Sequence, residues 1–216
     1  MSQALTFLRE FVRKPKQVGA IAPSSATLAK TMVAAANIEA GHAVVELGAG
    51  TGPFTRALVA NHADAHFLAL EPSSSLAGVL RQEFPGIEVV ERFAQDLPEI
   101  VEDWGYPKID RILSGLPWTV WPQEVQDSIF DAIGATLKPD GQFVTFTYVH
   151  SQVLPGARQL LRTLRERFAE VDTTPIIWAN IPPAFVYVCR RPHSTAPVTS
   201  VGGEESVHGV ATLDGE

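Results

Sequence analysis

The chain has 216 residues, of which 45% are hydrophobic and 19% are charged, and its formal net charge is −7 at pH 7. This length suits one domain of ordinary size with a full hydrophobic core. The one cysteine, Cys189, excludes an internal disulfide, and no run approaches the roughly 18 apolar residues that a membrane span needs. We therefore expect a globular protein of a reducing compartment, either soluble or peripheral to a membrane.

An amphipathic helix is predicted for residues 1–17. Apolar side chains fill one half of its helical wheel and basic side chains the other, a pattern typical of helices that lie in a membrane interface. The residues expected to dock there are Leu5, Leu8, Arg9, Phe11, Val12, Arg13 and Lys14. The basic residues follow the apolar stretch, which is the wrong order for a secretory signal. The alternative is that this helix packs on the rest of the domain.

Short apolar runs alternate with amphipathic runs between about residues 43 and 150. Strands are predicted at 43–47, 66–70, 87–91, 109–114 and 141–149, and helices at 53–61, 74–84 and 122–137. This alternation predicts a parallel sheet with right-handed crossovers and helices on both faces.

The C-terminal part of the pattern predicts a hairpin. A helix over 155–168 is followed by "AEVDTTPIIWAN" and "AFVYVCR", two strand-like runs. We therefore expect residues 18–192 to form one α/β domain, whose seven-stranded, mostly parallel sheet ends in an antiparallel hairpin strand. Residues 193–216 contain four acids and no Lys or Arg, and they lack any helical or strand period, which predicts a disordered acidic tail.

The stretch "VVELGAGTGPFTRAL" places three glycines between the first strand and the following helix. Glycines allow the backbone to approach a ligand closely. The dinucleotide fingerprint requires its third glycine where Pro53 stands, and no Gly-Lys-Ser/Thr phosphate loop follows. What remains is a G-x-G-x-G loop with one acid before it, Glu46, and a second acid, Glu71, at the end of the next strand.

This arrangement resembles the S-adenosylmethionine site of class I methyltransferases, which have a Rossmann-like fold. The resemblance implies that Glu71 accepts hydrogen bonds from the ribose and that Glu46 faces the ammonium of the cofactor, directly or through water. It also implies an acid near the adenine, matched by Asp96 in "FAQDLPE". S-adenosylhomocysteine would be the product, and no metal is expected. The residues expected to bind the cofactor are Glu46, Gly48, Ala49, Gly50, Thr51, Gly52, Glu71, Pro72, Gln95, Asp96, Leu97 and Ser114. The alternative is a tight turn flanked by solvated strand ends.

The fourth strand ends in "SGLPWTVWP", at residues 114–122. Many amino-group methyltransferases carry Asn/Asp-Pro-Pro-aromatic at this place. Backbone carbonyls of such a loop can accept hydrogen bonds from an amine, and Trp118 could offer a π face to a cation. Alternatively, Trp118 and Trp121 only cover the edge of the sheet. "NIPPAF", at 180–185, is closer to the motif, but we expect its hairpin to place it away from the carboxyl ends of the parallel strands.

Taken in order, the basic amphipathic start, "VGAIAPSSATLA", the glycine loop and "SGLPW" resemble the bacterial phospholipid N-methyltransferases over about residues 5–190. These enzymes methylate phosphatidylethanolamine stepwise to phosphatidylcholine. The resemblance implies a phospholipid substrate and an anionic membrane surface as partners, with the protein cytoplasmic and peripheral on the inner face of the cell membrane. The sequence indicates no obligate protein partner, and its acidity argues against nucleic acid.

The acceptor amine must lose a proton before it is methylated, because a lipid ammonium is protonated at neutral pH. Tyr148, His150 or water would take this proton, and Tyr148 is the first choice for a cation–π contact with methylated products. The candidate catalytic residues are Tyr148, His150, Trp118 and Pro117, and the candidate lipid-binding residues are Ser24, Ser25, Leu116 and Arg158.

Two other functions are compatible with the cofactor loop. Ribosomal RNA adenine dimethyltransferases share a comparable glycine loop and a Leu-Pro-aromatic loop. They usually have Asn where Ser114 stands, and they have a basic C-terminal helical domain that this chain lacks. The second alternative is a non-catalytic membrane-binding protein that retains the nucleoside pocket as a sensor.

Overall fold

The computed structural model describes residues 25–193. The predicted helix over residues 1–17, the candidate Ser24 and all of the predicted tail except His193 lie outside this range. In chain order the helices and strands are α1 (Ala26–Ala35), β1 (Ala43–Leu47), α2 (Pro53–Asn61), β2 (His66–Leu70), α3 (Ser74–Glu83), β3 (Glu88–Val90), α4 (Leu97–Asp103), β4 (Ile109–Ser114), α5 (Gln123–Thr136), β5 (Leu137–Tyr148), α6 (Pro155–Arg167), β6 (Phe168–Thr173) and β7 (Ala184–Pro192). Short 3-10 turns cover Ala94–Asp96, Trp118–Val120 and Val149–Val153.

The strands form one sheet in the order β3-β2-β1-β4-β5-β7-β6. The first five pair in parallel, and β7 runs antiparallel to both of its neighbours. This is the predicted Rossmann-like class I methyltransferase fold. Strand β5 begins earlier than predicted, because Leu137 already pairs with Ile109 before a register shift.

Helices cover both faces of the sheet, so the central strands are mostly apolar and largely buried. All five residues of β1 are buried, as expected for a parallel strand that is covered on both sides. Strand β7 contributes alternate residues to the two halves of the core. Phe185, Tyr187 and Cys189 pack with α5 and α6, whereas Ala184, Val186 and Val188 pack with α1 and α2.

The strand order creates a crevice between β1 and β4. The chain leaves β1 toward β2 on one side and later returns to β4 on the other, so the loops after these two strands diverge from the carboxyl edge of the sheet. In open α/β sheets such a switch point is where ligands bind.

The hairpin also reaches this edge. Ala184, the first residue of β7, lies opposite Tyr148, the last residue of β5, and the Val149 amide donates to the Pro183 carbonyl at 2.9 Å. The expectation that "NIPPAF" lies away from the carboxyl ends of the strands is therefore wrong. Because β7 runs antiparallel to β5, it begins at the edge of the sheet where β5 ends. The loop that precedes β7 therefore lies at the carboxyl edge of the parallel strands.

None of the helices within residues 25–193 combines the length and the apolar character that crossing a bilayer requires.

Candidate active site

The glycine loop after β1 has a left-handed backbone that opens toward the crevice. Gly48 has φ +74°, and a Cβ atom added there would lie 2.6 Å from the Leu116 side chain in the loop after β4. Gly50 has φ +58°, and a Cβ atom added there would meet nothing within 4 Å. Gly48 therefore allows the two loops to pack together, whereas Gly50 presents backbone to open space.

Glu71 joins this loop to the end of β2. Its side-chain carboxylate accepts a hydrogen bond from the Gly50 amide at 2.9 Å and another from the Ser73 amide, also at 2.9 Å. Burial raises the pKa of Glu71, and the two amides oppose that shift. Each carboxylate oxygen has a further lone pair, so the carboxylate can still accept hydrogen bonds from a ligand.

Glu46 lies inside β1 with only 3% of its surface exposed. The Thr55 hydroxyl, in the first turn of α2, donates to Oε2 of this carboxyl group at 2.6 Å. Oε1 is buried and has no hydrogen-bond partner among the described residues. Burial raises the pKa of Glu46 from 4.5 to about 7, and the hydrogen bonds from Thr55 lower it only in part. The site therefore holds a buried carboxyl group with one oxygen that has neither a donor nor a cation beside it among the described residues.

A third set of polar groups follows β3. Oε1 of Gln95 is buried without a partner among residues 25–193. The neighbouring Asp96 precedes α4, and one of its carboxylate oxygens lies 3.3 Å from Nε of Arg92. Both residues follow a parallel strand, so they belong to the same edge of the sheet as Glu46 and Glu71.

Ser114 shapes the loop after β4. Its hydroxyl oxygen accepts hydrogen bonds from Nε1 of Trp118 at 3.0 Å and from the Leu116 amide at 3.3 Å. The Leu116 and Pro117 carbonyls accept from the amides of Trp118 and Val120 within the following 3-10 turn. One serine thus holds both the turn and the indole in place.

An aromatic group stands at the end of β5. The Tyr148 ring is half-buried, edge-on to Phe146 with ring centroids 5.6 Å apart, and stacked on the exposed His150 at the same distance. The phenol oxygen is buried without a hydrogen-bond partner in the described part of the chain. Burial raises the pKa of Tyr148, so the phenol is neutral near pH 7.

Comparisons with known proteins show the family to which this chain belongs. Residues 44–141 match the family model described as a methyltransferase domain. Over 194 residues the chain is 34% identical to an ornithine lipid N-methyltransferase from Singulisphaera acidiphila, a match that spans 88% of this chain and 97% of that relative. The chain belongs to the class I S-adenosylmethionine-dependent methyltransferases.

Solved methyltransferases share the fold of this one at low sequence identity. Precorrin-6y C5,15-methyltransferase from Geobacter metallireducens has a TM-score of 0.57 and 16% identity, covering 76% of this chain and 88% of its own. TrmN from Thermus thermophilus has a TM-score of 0.63 and 18% identity, covering 83% and 52% of the two chains.

The methyltransferase uses S-adenosylmethionine as methyl donor and releases S-adenosylhomocysteine. Its site fits this cofactor in chemistry. The unpartnered Oε1 of Glu46 is a natural counterpart for the ammonium, and the Glu71 carboxylate retains lone pairs for the ribose hydroxyls. The open face of Gly50 leaves room beside them, with Thr51 exposed next to it and Pro72 beside Glu71. These acceptors match the cationic and hydroxyl-bearing parts of S-adenosylmethionine in chemistry.

Burial limits what the side chains of four predicted site residues can contribute. Trp118 is 1% exposed and stacked on Phe130 with ring centroids 4.5 Å apart, so its ring belongs to the core and offers no face to an amine. Leu97 is fully buried in the same part of the core. Ser114 is fully buried and its oxygen already accepts two donors, which assigns it to the loop rather than to the cofactor. Ala49 is 2% exposed and packs with Leu80, so only its backbone is available to a bound cofactor.

The candidate lipid-binding residues are spread along the carboxyl edge. Leu116 lies in the loop after β4 next to the catalytic candidate Pro117, and both are partly exposed, while Arg158 is exposed in the first turn of α6. Ser25 caps α1, its hydroxyl oxygen accepting from the Leu28 amide at 3.1 Å. Its own amide donates to Oδ1 of Asn180 at 3.0 Å, which ties α1 to the "NIPPAF" loop.

Sequence reasoning missed two residues of this site. Thr55 was not singled out, although a polar residue in the first turn after a glycine loop returns alongside the preceding strand. Asn180 is 2% exposed, accepts from Ser25, and donates to the Pro182 carbonyl at 2.7 Å. The sequence signal for Asn180 was "NIPPAF" itself.

Proposed function

We propose that this methyltransferase N-methylates the primary amine of a membrane aminolipid, with ornithine lipid as the first candidate acceptor. The observation that carries the proposal is the match with the ornithine lipid N-methyltransferase, which spans 97% of that relative. A match of this extent includes the loops after β4 and β5, where an acceptor would approach the methyl donor.

The protein's part in the reaction is placement. The cofactor supplies a sulfonium methyl group that is already activated, so in-line positioning matters more than acid catalysis. Glu46 would hold the ammonium end through its unpartnered oxygen, and Glu71 would fix the ribose against Gly50. Gln95 and Asp96 would face the adenine. The amine of the lipid would enter between Leu116, which lies in the loop after β4, and Tyr148, which is the last residue of β5.

The acceptor amine must give up a proton at this edge. The raised pKa of Tyr148 keeps its phenol protonated, which makes this side chain an aromatic surface rather than a base. His150 stacks on Tyr148 and is exposed at the end of the strand, so it can pass a proton to solvent. We assign proton acceptance to His150, because imidazole is the commonest general base in enzymes. The Tyr148 face suits products that have gained methyl groups and lost donors.

Phosphatidylethanolamine is a second candidate acceptor, favoured by "VGAIAPSSATLA" and "SGLPW". It has a primary amine like ornithine lipid and in addition a phosphate, for which Arg158 and Ser25 are positioned at the same edge. Stepwise methylation would then give mono-, di- and trimethylated lipids. Residues 1–17 would hold the protein on the cytoplasmic membrane surface in either case.

The test supplies purified protein and isotopically labelled S-adenosylmethionine to vesicles that contain ornithine lipid, phosphatidylethanolamine or phosphatidylcholine. Phosphatidylcholine is the matched control, since its amine is already quaternary. Mass spectrometry of the lipids should show labelled methyl groups on ornithine lipid, and label on phosphatidylethanolamine alone would favour the second candidate. Label that appears in added ribosomal RNA and in no lipid would overturn the proposal.

A further inference from the structure

Exposed apolar side chains concentrate at one edge of the sheet. Within residues 25–193, eight large hydrophobic side chains are exposed, and six of them lie in segments at the carboxyl edge. Val120 follows β4 and Val153 and Leu154 follow β5, while the other three, Ile176, Trp178 and Ile181, lie between β6 and β7. Trp178 is 71% exposed and Ile181 is 84% exposed. Monomeric soluble proteins rarely gather such side chains at one place without a binding role.

These segments are neighbours in space. The Val149 amide donates to the Pro183 carbonyl at 2.9 Å, which joins the segment after β5 to the segment before β7. Leu161 and Arg165 of α6 face Ile176 and Tyr187 across a groove of about 320 Å³. The start of α6 and the residues between β6 and β7 therefore form one continuous surface.

A row of arginines runs beside the apolar side chains. Arg158, Arg162 and Arg165 are exposed on α6 at positions i, i+4 and i+7, which places them along one side of the helix. None of the three forms an ion pair with a carboxylate among the described residues. Arg167, by contrast, pairs with Asp127 and Asp131. Arginines that the fold leaves unpaired keep their charge available to a partner.

We propose that residues 153–165 and 174–183 form an interfacial surface that rests on an anionic lipid bilayer. Tryptophan and aliphatic side chains enter the headgroup boundary favourably, and unpaired arginines are attracted by anionic lipids. The surface adjoins Tyr148 and the loop after β4, so docking would present lipid amines directly to the site. This inference rests on the proposed lipid acceptor, and it assigns membrane contact to the catalytic domain in addition to residues 1–17.

Two double variants of the full chain separate the apolar and charged parts of this surface. Ile176→Ser/Trp178→Ser removes exposed apolar area, and Arg162→Gln/Arg165→Gln removes unpaired charge. Val79→Ser is the control for the first, since Val79 is exposed on α3 beside the opposite end of the sheet. Lys30→Gln/Lys108→Gln is the control for the second. Lys30 lies on α1 across the sheet from α6, and Lys108 immediately precedes β4 at the amino edge.

Flotation with phosphatidylcholine vesicles, with and without phosphatidylglycerol, measures docking. We expect the apolar variant to lose at least about tenfold in vesicle partitioning, and the charge variant to lose its preference for phosphatidylglycerol. Both controls should partition like the parent. Parent-like partitioning of both surface variants would overturn the inference. So would a change from oligomer to monomer in the apolar variant, because it would assign the surface to a second copy of the chain.

A methylation assay with aminolipid in detergent micelles distinguishes the two proposals. Both surface variants should methylate dispersed lipid at the parent rate while losing activity on vesicles. If the parent fails to methylate lipid in either form yet partitions through this surface, the proposed function fails and the interfacial surface stands. If vesicle and micelle activities fall equally in the variants, the surface acts in folding or catalysis and the docking inference fails.

Discussion

The Thr55 hydroxyl donates to the Glu46 carboxylate at 2.6 Å, although both side chains are buried. This hydrogen bond occupies one oxygen and leaves the other without a partner among the described residues. Desolvation raises the pKa of Glu46 to about 7, so without a bound ligand this carboxyl group is about half ionised at neutral pH. A ligand ammonium beside Glu46 would supply the positive charge that this position lacks.

Replacing Glu46 by Gln should separate stability from cofactor binding. Folding raises the pKa of Glu46 from 4.5 to about 7, so ionisation of this carboxyl lowers the free energy of unfolding. The loss is absent well below pH 4.5 and is complete above about pH 7, where it amounts to about 3 kcal/mol. The parent should therefore lose roughly 2–3 kcal/mol of unfolding free energy between pH 5 and pH 8 that Glu46→Gln keeps, because part of the cost is already present at pH 5. Affinity for S-adenosylhomocysteine should fall at least about tenfold in the variant, since a charge-assisted contact is lost.

Chemical denaturation at the two pH values and calorimetry measure these effects. Glu102→Gln is the matched control, because Glu102 is an exposed residue of α4. A parent whose stability does not decline relative to Glu46→Gln would contradict the assigned ionisation.

Cofactor binding should release a proton. An ammonium beside Glu46 stabilises the carboxylate and lowers the pKa of this residue from about 7, so the fraction still protonated ionises on binding. Release should be largest between about pH 5 and pH 7 and should vanish above about pH 8.5. Calorimetry of S-adenosylhomocysteine binding in two buffers of different ionisation enthalpy gives the proton number directly. Equal heats in both buffers at pH 6 would place the ammonium away from Glu46.

Two glycines with a left-handed backbone, one in the candidate site and one outside it, form a matched pair for substitution. Gly50 and Gly41 both have positive φ, and a Cβ atom added to either meets nothing within 4 Å. Alanine at each position should cost about 1–2 kcal/mol of stability through backbone strain. Only Gly50→Ala should weaken S-adenosylhomocysteine binding, by about tenfold or more, because its Cβ atom would enter the space beside Glu71. Equal affinity in the two variants would remove Gly50 from the binding surface.

Ser114→Ala tests whether this serine serves the loop or the cofactor. The substitution leaves Nε1 of Trp118 buried without its acceptor, which should lower the unfolding free energy by about 1–3 kcal/mol. Lipid methylation should fall while affinity for S-adenosylhomocysteine stays within about twofold. Ser128→Ala, which removes a hydroxyl that donates to a backbone carbonyl within α5, is the control for the chemical change. A large loss of cofactor affinity would restore Ser114 to the cofactor site.

Tyr148→Phe should leave the enzyme active. The phenol oxygen has no partner in the described structure and its raised pKa keeps it protonated, so the hydroxyl neither holds the fold nor accepts a proton. We expect the rate on lipid to remain within about threefold and the pH profile to be unchanged, whereas Tyr148→Ala should lose the aromatic face and slow the later methylations most. A Phe variant with a shifted pH profile would make the phenol the proton acceptor.

The periodicity of the sequence was enough to predict the strands, the parallel sheet with its antiparallel hairpin, and the place of the glycine loop. It failed where packing between distant segments decides the outcome. The position of Trp118 in the loop after β4 was predictable, but its burial depends on Phe130 and Phe143, which approach from α5 and β5. Similarly, the sequence identified Glu46 as an acid near the loop, whereas its raised pKa depends on complete burial between two layers of helices.

The early start of β5 and the place of "NIPPAF" were missed for related reasons. Lys138, Pro139, Asp140 and Gly141 read as a turn, yet the backbone pairs with β4 on both sides of a register shift. The hairpin was predicted correctly, but the direction of β7 returns its first residues to the edge where β5 ends. The antiparallel direction was predicted, but the strand with which β7 pairs is a property of the whole sheet, and short-range patterns do not contain it.

Because β7 returns to the carboxyl edge of the sheet, that edge carries two separate sets of segments. The residues proposed to hold the methyl donor follow β1, β2 and β3, whereas the hairpin brings residues 174–183 to the other half of the same edge. Substitutions within residues 174–183 would consequently change how the enzyme meets a lipid surface and leave the donor half intact.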